Sequence, residues 1–105
     1  MRNLMIDLIE QHRGPIAALC RKYGVLRLEL FGSAARGDFD ASTSDVDFFY
    51  EFNADPAGLA DRFFGLQRDL ETLLGVKVDL VSAPDVTNPY FLDVANRHRL
   101  TLYAA

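Results

Sequence analysis

Three short segments rich in leucine, valine and aromatic residues constrain the fold of this chain most strongly. They span residues 25–31, 45–52 and 76–82, and the first alternates in a period of two, which is typical of a half-buried strand. Apolar residues at helical spacing fill the stretches before the first segment, between the second and third, and after the third. The resulting order of helix, strand, strand, helix, strand and helix predicts an α/β or α+β fold in which helices cover a small sheet.

Glycine and proline residues set the expected limits of the helices. The first helix ends at Gly24, as is typical of a glycine just beyond a helix C-terminus, and Gly14-Pro15 is expected to kink or divide it. Asp55-Pro56 begins the long central helix and Gly75 ends it. The predicted helices span 3–23, 55–74 and 88–97, with a short helical turn at 34–36, a polar loop at 37–44 and an apolar tail at 100–103.

Length and charge limit the class of protein. A chain of 105 residues supports one hydrophobic core, so residues 1–105 are expected to form a single domain. The net charge of −4 provides no excess positive field, which disfavours direct binding to nucleic acid. Residues 14–20, an uncharged apolar stretch, are too few for a membrane span or a secretory segment, so a cytoplasmic location is expected. Cys20 follows a helical apolar pattern and is expected to be buried.

Two aspartates at the start of the second predicted strand carry the clearest chemical signal. Asp45 and Asp47 are two residues apart, so in a strand their carboxylates leave the same face of the sheet. Adjacent negative charges repel unless a divalent cation neutralises both. Oxygen ligands favour Mg²⁺ or Mn²⁺ over zinc, and no histidine or cysteine lies nearby in sequence.

Further residues extend this predicted site on both sides. Asp79 interrupts an apolar strand pattern, and if that strand lies beside the Asp45 strand, three carboxylates can hold two metal ions about 3.5–4 Å apart. One ion would share the triphosphate oxygens, and the other would bind the acceptor hydroxyl, which Asp79 would deprotonate. Gly32 lets the backbone approach a phosphate. The Ser33 hydroxyl and the Arg36 guanidinium are the expected side-chain contacts to the same phosphates.

The segments Gly32-Ser33-Ala34-Ala35-Arg36-Gly37 and Ser44-Asp45-Val46-Asp47-Phe48 resemble the signature of the polymerase-β-like nucleotidyltransferase superfamily, and in particular its short, minimal nucleotidyltransferase members. The resemblance implies a palm built on a mixed sheet, a nucleoside triphosphate that is often ATP, and two Mg²⁺ ions bound by Asp45, Asp47 and Asp79. One departure is that eleven residues separate Ser33 from Asp45, where family members usually have ten.

The resemblance to the short members also implies a partner. Such proteins act as antitoxins that attach AMP to a tyrosine of a HEPN-type RNase toxin. In a chain this short, the acceptor or its binding surface is expected from a second protein or a second copy. The alternative is a catalytically silent binding module of the same fold that neutralises a partner by contact. Transfer to a small molecule such as an aminoglycoside would require additional chain for the acceptor pocket.

Each candidate residue also has a purely structural interpretation. Asp45 and Asp47 are residue types that commonly form turns and caps at the end of a loop. Asp79 is also compatible with a solvated residue on an edge strand, and Arg36 with an ordinary surface cation. The residues themselves leave the acceptor, the nucleotide and the oligomeric state undetermined.

Overall fold

A computed structural model of the chain describes residues 4–37, 40, 45–82 and 99–105. The helices and strands that the periodicity predicts before residue 83 are all present. In chain order the elements are α1 (Leu4–Gln11), α2 (Arg13–Tyr23), β1 (Val25–Phe31), α3 (Gly32–Arg36), β2 (Val46–Phe52), α4 (Leu59–Leu74), β3 (Val78–Ser82) and β4 (Leu100–Ala104). None of the helices in these ranges has the length and hydropathy needed to span a bilayer.

The four strands form one mixed sheet in the order β3-β2-β1-β4. Strand β1 pairs antiparallel with β2 and with β4, whereas β2 and β3 are parallel. Parallel neighbours need a crossover connection, and α4 provides it between β2 and β3. The predicted fold class, a small mixed sheet flanked by helices, is therefore confirmed.

The apolar tail at 100–103 forms a strand, which corrects the sequence prediction. Strand β4 completes the sheet beside β1, where Tyr103 lies opposite Leu28 and Leu100 opposite Leu30. Leu102 points into the core and is 6% exposed. A run of four or five residues has too little periodicity to identify a strand, so only the pairing with β1 reveals it.

The helix limits also differ from the prediction in detail. The first helix divides at His12, between α1 and α2, and Pro15 lies in the first turn of α2, where a missing N–H is tolerated. Helix α4 begins at Leu59 because the Asp55 carboxylate accepts a hydrogen bond from the Ala57 amide and holds a turn before the helix. The helix predicted at 88–97 lies outside the described residues.

The two faces of the sheet have different surroundings. Alternate residues of β1, β2 and β3 pack against the helices, and this core includes Leu28, Leu30, Val46, Phe48, Val78 and Leu80. Cys20 from α2 is fully buried there, as predicted, and burial raises the pKa of its thiol to about 12. The remaining strand positions, among them Asp47 and Asp79, lie on the opposite face.

Candidate active site

The register between β2 and β3 brings the predicted carboxylates together at one corner of the sheet. Asp47 and Asp79 are partners in the parallel ladder, so their side chains leave the same face of adjacent strands about 4.8 Å apart. Asp45 immediately precedes β2, and its negative charge is close enough to raise the pKa of Asp47. Asp45 and Asp79 are exposed and Asp47 is half-buried. The structure therefore places all three predicted residues in one neighbourhood.

The surroundings of Asp47 oppose a negative charge. Burial, followed by repulsion from Asp79 and Asp45, raises the pKa of its carboxyl to about 6, and the positive charge of Arg36 opposes this increase. A carboxyl with this environment holds its proton more strongly than an exposed one. A divalent cation would relieve both the repulsion and the lost hydration.

Gly32 is required by its position next to Asp47. It follows β1 with a φ of +75°, a conformation that favours glycine, and a Cβ built on it would overlap the Asp47 carboxylate oxygen Oδ2. The sequence predicts that this glycine lets the backbone approach a phosphate. In the structure its lack of a side chain also makes room for a carboxylate of the predicted metal site.

The other predicted phosphate contacts belong to α3, which connects β1 to the polar loop. Ser33 lies in its first turn and is partly buried, whereas Arg36 lies in its last turn and is exposed. Arg36 is close enough to lower the pKa of Asp47, which places its positive charge beside the carboxylates. Gly37 ends the helix with a φ of 94° and donates its amide to the Ser33 carbonyl at 3.0 Å.

The donor groups fit a hard divalent cation, although the carboxylates are not gathered around one point. Within residues 4–37, 40, 45–82 and 99–105, no group of three His, Cys, Asp or Glu side chains has the arrangement of a metal site. The nearby acidic donors are all oxygen atoms, as Mg²⁺ prefers. Asp47 and Asp79 share a rung of the ladder, so both carboxylates leave the same face of adjacent strands, where one cation could contact both.

A partly buried ion pair on the same face of the sheet was not predicted from the sequence. Nη2 of Arg99 donates to Oε1 of Glu29 at 3.0 Å, and its Nε lies 2.8 Å from Oε2. The Arg99 guanidinium stacks 4.7 Å from the centre of the Phe49 ring, which is itself stacked on Phe31, the register partner of Asp47. The only signal in the sequence is a glutamate between two leucines of β1, and its partner lies 70 residues away.

Comparison with known proteins identifies the family. Residues 15–101 match the nucleotidyltransferase domain family. A candidate protein adenylyltransferase of Methanocaldococcus jannaschii is 39% identical over 84 residues, which cover 80% of each chain. A solved structure of a candidate minimal nucleotidyltransferase is 30% identical, with a TM-score of 0.71 over 90% of this chain and 92% of that one.

A more distant structure shares the fold. It is a tri-AMPylated HEPN toxin of Shewanella oneidensis in complex with an MNT antitoxin, and the matched chain is 19% identical. Its TM-score is 0.61, over 92% of this chain and 73% of that one. The family match covers most of the sequence, so the chain belongs to the nucleotidyltransferase domain family and is a nucleotidyltransferase.

Proposed function

We propose that this nucleotidyltransferase uses Mg²⁺ to transfer AMP from ATP to a tyrosine of a HEPN-type toxin, and so acts as an antitoxin. The observation that carries the proposal is the shared rung of Asp47 and Asp79, where burial and repulsion prepare the carboxylates for a cation. The similarity to the candidate protein adenylyltransferase of M. jannaschii supports a protein acceptor. The distant structure of a tri-AMPylated HEPN toxin supports this class of partner.

The proposed roles follow from the position of each residue. Asp45, Asp47 and Asp79 would hold two Mg²⁺ ions, which supply charge neutralisation to the triphosphate and polarise the acceptor hydroxyl. Gly32, Ser33 and Arg36, on α3 beside the carboxylates, would bind the phosphate oxygens.

The proposed transfer is a single displacement at phosphorus. The tyrosine oxygen forms a bond to the α-phosphorus of ATP, while the bond from that phosphorus to the oxygen bridging to the β-phosphate breaks. Pyrophosphate leaves, and the proton of the hydroxyl passes to Asp79. The products are AMP-tyrosine and pyrophosphate, so no further reactant is required.

The acceptor is expected to come from another polypeptide. We infer that residues 1–105 form a single minimal nucleotidyltransferase domain, because all described strands belong to one sheet. A toxin, or a second copy of the chain, would then complete the acceptor side. The net charge of −4 favours a protein acceptor over direct binding to nucleic acid. We propose that the protein acts in the cytoplasm.

One observation favours the alternative, a silent binding module that neutralises its partner by contact. Among the described residues, no three acidic, histidine or cysteine side chains converge in the manner of a metal site. A contact inhibitor would need the surface of this fold but not the carboxylates. The two functions therefore differ in their response to the same substitutions.

The test uses purified protein, the product of the neighbouring gene, Mg²⁺ and ATP labelled at the α-phosphate. Intact mass and peptide sequencing should show AMP on a tyrosine of the partner, and the label should disappear in Asp47→Asn and Asp79→Asn. Asp61→Asn, a change of equal charge on the exposed start of α4, should retain transfer. A partner that is neutralised equally by wild type and both site variants, with no label, would support the contact inhibitor.

A further inference from the structure

Strand β3 lies at the edge of the sheet, and two side chains of α4 bind its backbone. Nε2 of Gln67 donates to the carbonyl oxygen of Val78 at 2.9 Å. The amide of Val78 donates to Oε2 of Glu71 at 3.0 Å. The amide and carbonyl groups of Val78 both point away from β2. In a parallel strand, successive residues form their backbone hydrogen bonds alternately to the strand on one side and toward the other side. Gln67 and Glu71 thus form a clamp on one residue of the edge strand.

Helix α4, which carries the clamp, is packed against the rest of the domain on two sides. Gln67 and Glu71 are four residues apart, so they project from one face of α4. Leu66 and Leu70, on the adjoining face, are completely buried in the core. On its far side the helix is tied to α2 by a short hydrogen bond from the Tyr23 hydroxyl to Asp69.

The clamped residue is the immediate neighbour of a predicted metal ligand. Val78 precedes Asp79, and its register partner Val46 precedes Asp47. On the inner side, the amide of Val46 donates to the carbonyl of Lys77 at 2.9 Å. The start of β3 is therefore fixed from both sides. A slip of one residue, about 3.3 Å, would turn the Asp79 side chain to the opposite face of the sheet.

We infer that Gln67 and Glu71 are positioning residues for nucleotidyl transfer, which hold Val78 so that the Asp79 carboxylate stays level with that of Asp47. The inference rests on the proposed function, because it takes Asp79 as a metal ligand. Simple protection of the sheet edge is the competing explanation, and it predicts no effect on metal binding. Outer partners that orient metal ligands typically change affinity by about 10-fold to 100-fold.

Two substitutions of nearly equal shape separate these explanations. Glu71→Gln keeps an oxygen that accepts from the Val78 amide, whereas Gln67→Glu replaces the donor to the Val78 carbonyl with a carboxylate that repels it. If the change of net charge near the site were the cause, the cation affinities of the two variants would change in the direction opposite to this expectation. Removing a negative charge in Glu71→Gln would weaken cation binding, and adding one in Gln67→Glu would strengthen it.

The experiment measures Mn²⁺ binding to the full chain by electron paramagnetic resonance of the free ion, with no nucleotide present. We expect Gln67→Glu to bind Mn²⁺ at least about tenfold more weakly and Glu71→Gln to match wild type. Thr72→Ala, an exposed change on α4, is the neutral control. Leu73→Ala, a partly buried change next to the core, controls for lost stability, with thermal unfolding recorded for every variant.

A second readout reports the register without metal. The cross-strand proton contacts between Asp47 and Asp79 in the nuclear magnetic resonance spectrum should persist in Glu71→Gln and weaken in Gln67→Glu. Wild-type affinity or tighter binding in Gln67→Glu would overturn the inference. So would equal weakening in Leu73→Ala at equal loss of stability. A wild-type protein that binds no Mn²⁺ would overturn the proposed metal site and with it the catalytic role of the clamp. The register contacts separate this outcome from a failure of the clamp itself.

Discussion

The raised pKa of Asp47 predicts that removing this charge stabilises the metal-free protein. In Asp47→Asn the side chain keeps its size but loses the carboxylate that burial and repulsion from Asp79 and Asp45 disfavour. An increase in pKa from 3.8 to about 6 corresponds to about 3 kcal/mol. Because Asp47 is only half-buried, solvent and salt screen the repulsion, and we expect a gain of about 1–2 kcal/mol.

The size of the effect depends on pH in a defined way. Asp47 keeps its proton to a higher pH in the folded protein than in the unfolded chain. The loss of stability caused by its ionised carboxylate is therefore absent below about pH 4, grows between pH 4 and 6, and is complete above pH 6. Saturating Mg²⁺ should reverse the order of stability, so that wild type becomes more stable than Asp47→Asn. At 100 times its dissociation constant a ligand stabilises the folded state by about 2.7 kcal/mol, and only wild type would gain this.

The assay is urea unfolding of wild type, Asp47→Asn and Asp61→Asn at several pH values between 4 and 8, with EDTA and at constant ionic strength. Asp61→Asn makes the same change of charge on the exposed first turn of α4 and should stay within about 0.5 kcal/mol of wild type. Equal stability of wild type and Asp47→Asn at pH 7.5 would refute the reasoning. A difference that is unchanged at pH 4 would also refute it, because the effect would then not come from ionisation.

Three further predictions concern single residues. Gly32→Ala should lower the melting temperature and abolish AMP transfer, because its Cβ would overlap a site carboxylate; Gly58→Ala, at a similar positive φ but in open space, should cost about 1 kcal/mol and keep activity. In an exposed helix, a change from glycine to alanine normally raises stability. Gly65→Ala should instead lower the free energy of unfolding in urea by about 1–3 kcal/mol, because the new Cβ would lie 2.7 Å from the Tyr23 ring. Cys20, whose pKa burial raises to about 12, should resist iodoacetamide at pH 8 until the protein is unfolded, and mass spectrometry that finds rapid modification of folded protein would contradict this.

Local patterns were sufficient to predict the elements that position the candidate site. The alternation of β1 gives its bounds, Val25–Phe31, without error, and the spacing of Asp45, just before β2, and Asp47, within it, predicts their proximity. Both signals depend only on the period of a strand and on the chemistry of adjacent charges. The assignment of these residues to metal and nucleotide stays a prediction until transfer and metal binding are measured.

Features that depend on contacts distant in sequence were not predictable. The pairing of Glu29 with Arg99 joins residues 70 positions apart, and neither residue has a local pattern that identifies its partner. The tail forms β4 by pairing with β1, a segment about 70 residues earlier in the chain. The expected half-buried character of β1 also failed at its end, where Glu29 and Phe31 are buried on the face away from the helices.

Helix α4 links the topology of the fold to the geometry of the site. Asp47 and Asp79 share a rung only because β2 and β3 are parallel, and parallel strands require a crossover, which is this helix. The buried side chains of Val78 and Leu80 already oppose a slip of β3 by one residue, because such a slip would move them to the other face of the sheet. The hydrogen bonds from Gln67 and Glu71 add a further constraint at Val78, one residue before Asp79. The same element that makes the juxtaposition of the carboxylates possible therefore also helps to hold in place the residue of β3 that takes part in it.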